Sequence, residues 1–205
     1  MKNTGTLKVT TPSDREIVLT RVFDAPRRLV LDAFSKPELL KRWFGPRGWS
    51  LEVCEVDLKV GGGFRFVLRG PDGKRIGMRG VYREIVPPER SVHMESFDDY
   101  PGESQVTAVF VEQGGKTTLT ATVLYPSEEV RDIVIKSGMA HGAAESYDKL
   151  AELLASGGPG DSMAPRLLPD VTSCRTATGL SRCATRRNRP GRAGPTSGRA
   201  SVYRR

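Results

Sequence analysis

Few side chains in this chain are suited to chemistry. His93 and His141 are its only histidines, so an imidazole acid or base would have to be one of the two. His93 sits in "SVHME", out of phase with Val92 and Met94; with those two turned inward, His93 is expected to point outward. His141 lies about 180° from Leu150 on a helical projection and is expected to face solvent. Cys54 stands alone in a strand-like segment, while Cys174 and Cys183 lie in the last fifty residues. That is neither a disulfide framework nor a metal-ligand spacing, and it fits a reducing compartment. The glycines of "GGG" at 61 to 63 precede a strand rather than a helix, which suits a hairpin connection and not a phosphate cradle. No metal and no cofactor is therefore expected. Tyr82 and Tyr147 remain as hydroxyls that could fix a ligand or supply a proton.

The elements that must position them alternate in a legible way. "EIVLTRVFD" at 16 to 24 reads as a strand. Asp24 is then expected to cap a short helix with Pro26 in its first turn. "SKPE" at 35 to 38 has the form of a capping box, with Ser35 as N-cap and Glu38 reaching back, and Gly45-Pro46 closes that second helix after Trp43 and Phe44. From Trp49 to Tyr125 the period becomes two. Strands are expected over 49–58, 63–69, 75–86, 90–97, 104–112 and 116–125, with turn sequences such as "PDG" and "QGG" between them. Connections this short make consecutive strands antiparallel neighbours.

After Pro126, Ser127 can cap a final helix whose first turn carries Glu128 and Glu129. It is expected to run unbroken to about Ala155. One side carries Ile135, Met139, Ala143, Ser146, Tyr147, Leu150 and Leu154. Its middle is small, with Gly138, Ala140, Gly142, Ala143 and Ala144, although each glycine destabilises a helix by about 1 kcal/mol relative to alanine. Space is expected between the middle of this helix and the sheet. The fold class is α+β: a curved antiparallel sheet of about seven strands around one long C-terminal helix, with two short helices after the first strand.

Charge divides the chain. The last fifty residues hold ten arginines, no lysine and two acids, while the remainder balances twenty-two basic against twenty-two acidic residues. Residues 156–205 are rich in Arg, Gly and Pro and carry few large apolar groups, so they read as a disordered tail. Nucleic acid would be met only there and only nonspecifically, through phosphate neutralisation. Residues 1–14 read as a flexible N-terminus, and 15–155 as the domain. No apolar leader or membrane-length run is present, and a cytoplasmic location is expected.

Several phrases resemble the START-like superfamily, also called SRPBCC, and within it the branch named for the activator of the Hsp-ninety ATPase. They are "RVFDAPRRLVLDAFSKPELLKRWFGP" at 21 to 46, "DLKVGGGFRF" at 57 to 66, "GVYREIVPPERSV" at 80 to 92 and "SGMAHGAAESYDKLAELL" at 137 to 154. The resemblance implies a helix-grip fold with a ligand cavity between the long helix and the concave sheet. Trp43, Trp49, Phe64, Phe66, Met78 and Tyr82 would line it, with Met94, Phe110, Met139, Ala143 and Tyr147. Relatives often carry tryptophan where Ala143 stands, so the cavity here is expected to be larger. Trp43 and Trp49 can serve as lid or wall, or as plugs where short helix meets sheet.

The expected function is binding of a small hydrophobic or amphipathic molecule, without catalysis. Two rivals stand beside it. One is a cyclase or dehydratase using Tyr82 or Tyr147 as acid, betrayed by a second titratable group beside a pocket tyrosine. The other is a chaperone cofactor that meets a protein partner through its outer surface.

Overall fold

The computed structural model describes residues 6–99 and 102–157. The expectations for the tail beyond residue 157 lie outside the described residues. The chain opens with strands β1 (Lys8–Thr10) and β2 (Glu16–Phe23), then helices α1 (Arg27–Ser35) and α2 (Pro37–Trp43). Six strands follow: β3 (Ser50–Val56), β4 (Gly63–Arg69), β5 (Arg75–Val86), β6 (Arg90–Phe97), β7 (Ser104–Gln113) and β8 (Lys116–Leu124). Helices α3 (Glu128–Lys136) and α4 (Met139–Ala155) close the domain.

The eight strands make one antiparallel sheet in the order β1-β2-β8-β7-β6-β5-β4-β3. This is an α+β helix-grip architecture: a curved sheet with the helices on its concave side. Residues 8–10, expected within a flexible terminus, pair with Val18 to Thr20 of β2 and add the eighth strand. Leu7, just before them, is buried in the core.

Local chemistry explains three further departures from the sequence reading. Asp24 does not cap α1, whose N-cap is Pro26; it pairs with Lys116 at 3.3 Å. Ser35 does not cap α2, because α1 runs through it and its hydroxyl donates to the carbonyl of Leu31 at 2.9 Å. Lys36 takes the N-cap position, and Pro37 occupies the first turn, where its missing N–H costs nothing. The C-terminal helix is broken at Gly138, whose φ of +84° is left-handed and ends α3 as glycine readily does. Ser127 does cap α3 as expected, accepting from the N–H of Val130 at 3.3 Å.

The break resets the helical phase. Ile135, expected inward, is 43 % exposed, whereas Ala144 and Leu150 are fully buried. Two apolar clusters lie under the helices. The larger is aromatic, built around Phe23, Trp43, Phe64, Phe66, Phe110 and Leu150. The smaller is built of Ile17, Leu19, Val106, Ala121, Val123, Tyr125 and Ala144, with Met139 and Ala143 packed against it. Tyr147 touches both.

Candidate functional site: the concave face under helix α4

In an antiparallel ladder, paired residues share a face. Tyr82 of β5 pairs with His93 of β6, and His93 with Val106 of β7; Tyr82 and Val106 are core residues, so His93 faces inward. Its ring meets Phe64 edge-on at 5.2 Å and Tyr82 at 5.9 Å. The expectation that His93 points outward is therefore overturned. Val92 and Met94 misled it: Val92 is buried but belongs to neither core cluster, and Met94 lies on the outer face. Met94 there lines a cleft of about 130 Å³ with Arg79, Arg83 and Glu103, so it is withdrawn from the interior set. Two positions along β6, Glu95 lies on the same face as His93, with its carboxylate 3.4 Å from His93 Nε2.

The other expected residues fall into two groups. Phe64, Phe66, Met78, Tyr82 and Phe110 are buried in the aromatic cluster, with the ring centroids of Phe64 and Tyr82 5.6 Å apart. Met139 and Ala143 border the small-residue cluster, and both are half-buried. Tyr147 bridges them, 5.9 Å from Phe23 and 6.2 Å from both Phe34 and Trp43. Trp43 is 1 % exposed and donates its indole N–H to the carbonyl of Ala33 at 2.9 Å, which makes it a plug between α1 and α2 rather than a lid. Trp49 packs against the same cluster, over Gly70 at the β4–β5 turn. Gly80 is required where it stands. A Cβ there would come within 2.4 Å of the Phe64 ring.

The family described as "Activator of Hsp90 ATPase homolog 1-like protein" matches residues 24–155. The chain belongs to this family. A crystal structure of a protein from Rhodobacter sphaeroides is similar at 32% identity and TM-score 0.70, covering 74% of this chain and 99% of that one. A protein from Nitrosomonas europaea shares 25% identity at TM-score 0.65, over 71% of this chain and 97% of its own. The AHSA1 protein of Silicibacter pomeroyi, at 22% identity and TM-score 0.56, shares the fold over 69% of this chain and 98% of its own. No curated protein matches the chain.

Sequence reasoning missed three charged residues of this AHSA1-like interior. Arg21 lies in β2 on the inward phase of Ile17, Leu19 and Phe23, and is only 6% exposed. Its Nη2 meets the Asp148 carboxylate of α4 at 2.8 Å, and its guanidinium carbon is 5.8 Å from the Phe23 ring centre. Nε and Nη1 of Arg21, like Nδ1 of His93, are buried without a hydrogen-bond partner among the described residues. Glu95 is the third. The signal that could have found Arg21 and Glu95 was their phase with Phe23 and Phe97 at the strand ends.

Burial, with a smaller contribution from Cys54, pushes the Tyr82 hydroxyl up to about 12. Tyr147 is likewise pushed up to about 12, chiefly by burial, with Glu95 adding to the rise and Arg21 opposing it. Tyr125 is raised by burial and again by Glu95. The carboxylate of Glu95 and the guanidinium of Arg21 therefore both act on the Tyr147 hydroxyl. Among the described residues no group of three or more His, Cys, Asp or Glu is placed to hold a metal, and no helix is long and apolar enough to cross a membrane.

Proposed function

We propose that the chain binds a small apolar or amphipathic molecule between the concave face of the sheet and helix α4. The observation that supports this reading is a set of buried hydrogen-bonding groups left unsatisfied among aromatic walls. Arg21 and His93 keep free nitrogens there. Buried polar groups are normally paired, so each open one invites a ligand atom or a water. Apolar lining with a few convergent polar groups is the usual plan of a small-molecule site. The start of α4 is the point of entry in this reading, because Met139 and Ala143, packed against the small-residue cluster, are both half-buried.

A second reading draws on one specific observation: His93 lies 5.9 Å from Tyr82, ring to ring, with Glu95 behind it. An imidazole beside a pocket tyrosine, oriented by a carboxylate, is a general acid–base arrangement, and it suits an enzyme that moves protons on a bound substrate. His93→Gln would separate the readings. Binding retained with the variant and no turnover of any copurified molecule by the wild type keep the binder; turnover lost with His93 moves the assignment to the enzyme.

The test of binding itself uses Nile red and the Ala143→Trp variant. An indole at 143 would fill the space beside the small-residue cluster, so the variant should fold and exclude the dye. A close-packed interior would instead charge about 1–3 kcal/mol for the added volume. Unfolding of the variant, or unchanged dye uptake, would remove the support for a site at this place. Native mass spectrometry of the chain purified from its source would then name the class of any copurified ligand.

A further inference from the structure

The two nitrogens of Arg21 that lack partners define one pole of the interior. This side chain is more than nine-tenths buried, yet it makes a single contact to the Asp148 carboxylate through Nη2. A guanidinium carries five N–H donors, and leaving them buried and unmet is costly. Structural bracing of α4 against β2 would be served by the Asp148 contact alone, and does not explain an Arg whose Nε and Nη1 meet no acceptor among the described residues. Lysine would make the same single contact with fewer donors to satisfy.

The position is suited to reception. Arg21 stands between Leu19 of the small-residue cluster and Phe23 of the aromatic cluster, at the seam that Tyr147 bridges. A headgroup placed there would leave its apolar body free to lie along either cluster. We propose that the ligand is an amphipathic carboxylic acid whose carboxylate accepts from Nε or Nη1 of Arg21, with its apolar body between α4 and the sheet. This deepens the binding reading above and rests on it. Hydrogen bonds from a charged donor to a carboxylate are among the strong ones, and in a dry interior they discriminate sharply against a neutral head. Glu95 is the opposing pole on this face, and it would favour an ammonium if it were the recognising group.

The experiment uses the full chain and four ligands of one chain length: decanoic acid, 1-decanol, methyl decanoate and decylammonium. Each is titrated by calorimetry and by displacement of Nile red. The acid should bind tighter than the alcohol and the ester by about tenfold or more, the size expected for hydrogen bonds to a charged group. The double variant Arg21→Met, Asp148→Asn removes the pair together, so no charge is left buried alone, and cooperative unfolding is checked first. If it does not fold, Arg21→Lys replaces it. In either background the acid should fall to the level of the alcohol, whose affinity should hold.

Equal binding of all four ligands, or a preference for the ammonium, would overturn the acid while leaving the binding reading intact. An acid preference that survives loss of Arg21 would place the attraction elsewhere, the arginine-rich tail included, and would also overturn it. Failure of every ligand and of the dye would bring down the binding reading itself.

Discussion

Arg21 and Arg65 are the same residue on opposite faces of one sheet, and they are treated in opposite ways. Arg65 on the convex face makes two hydrogen bonds to the Asp98 carboxylate, at 2.9 and 2.5 Å, and Arg79 adds a third at 3.0 Å. Arg21 on the concave face is far more deeply buried, 6% against 33% side-chain exposure, and has one carboxylate contact with two nitrogens unmet. Physical economy would predict the reverse, since water can satisfy the outer arginine and cannot reach the inner one. Among the described residues the outer arginine thus has its charge met by a carboxylate through two hydrogen bonds, while the inner one keeps two nitrogens without a protein partner.

The largest effect should come from stripping the inner arginine of its one carboxylate. Asp148→Ala leaves an uncompensated guanidinium in the interior, and removing one partner of a buried pair typically costs about 3–5 kcal/mol. Urea unfolding at neutral pH should show a midpoint lowered accordingly, with an unchanged slope. A loss under about 1 kcal/mol, the range of exposed pairs, would show that water already reaches Arg21 and would erase the contrast between the faces.

The interior should next reveal itself at alkaline pH. Tyr82 and Tyr147 are raised from an ordinary 10.0 to about 12 with burial as the main cause. A raised pKa stabilises the protonated form in the folded state. Its contribution is complete below pH 10 and is lost as pH climbs through 12, by up to about 2–3 kcal/mol for each hydroxyl. The check is a urea midpoint followed from pH 9 to 12 beside the ultraviolet tyrosinate signal. Early ionisation of all five tyrosines near pH 10, with stability flat, would mean a wet interior.

How much of this was legible depended on what each feature rests on. Strand alternation and turn glycines are local, so all six strands from β3 to β8 could be read from "GGG", "PDG" and "QGG" and the period-two runs between them. The break at Gly138 was not legible, because a helix tolerates an internal glycine at a cost of about 1 kcal/mol and only the φ of +84° distinguishes a stop from a weak link. The small middle of the helix was placed one residue out of phase, with Ala144 rather than Ala143 fully buried. His93 failed for a different reason. β6 carries apolar Val92 and Met94 on its outer face and polar His93 and Glu95 on its inner one, so hydrophobicity pointed the wrong way. An inverted strand of this kind misleads any reading by hydrophobicity, and only the neighbours' register corrects it.

The smallest effect should come from Arg65, and it sharpens the comparison most economically. Arg65→Gln removes both hydrogen bonds to Asp98, leaving Arg79 as that carboxylate's partner. In the wild type, Arg65 holds Asp98 below the usual carboxylate range, chiefly through those hydrogen bonds. A lowered carboxylate pKa contributes stability above the group's ordinary value and loses it as pH falls, so any contribution of the pair should fade in acid. Both groups stand partly in water, where screening and side-chain entropy consume most of what an ion pair gains. At neutral pH and physiological salt the unfolding midpoints of Arg65→Gln and wild type should therefore coincide within error, and ligand or dye uptake should be identical. A clear loss of stability would mean that the outer lattice of arginines and carboxylates braces the sheet as firmly as the interior does. A change in uptake would tie the convex face to the site, and the division of labour between the faces would have to be abandoned.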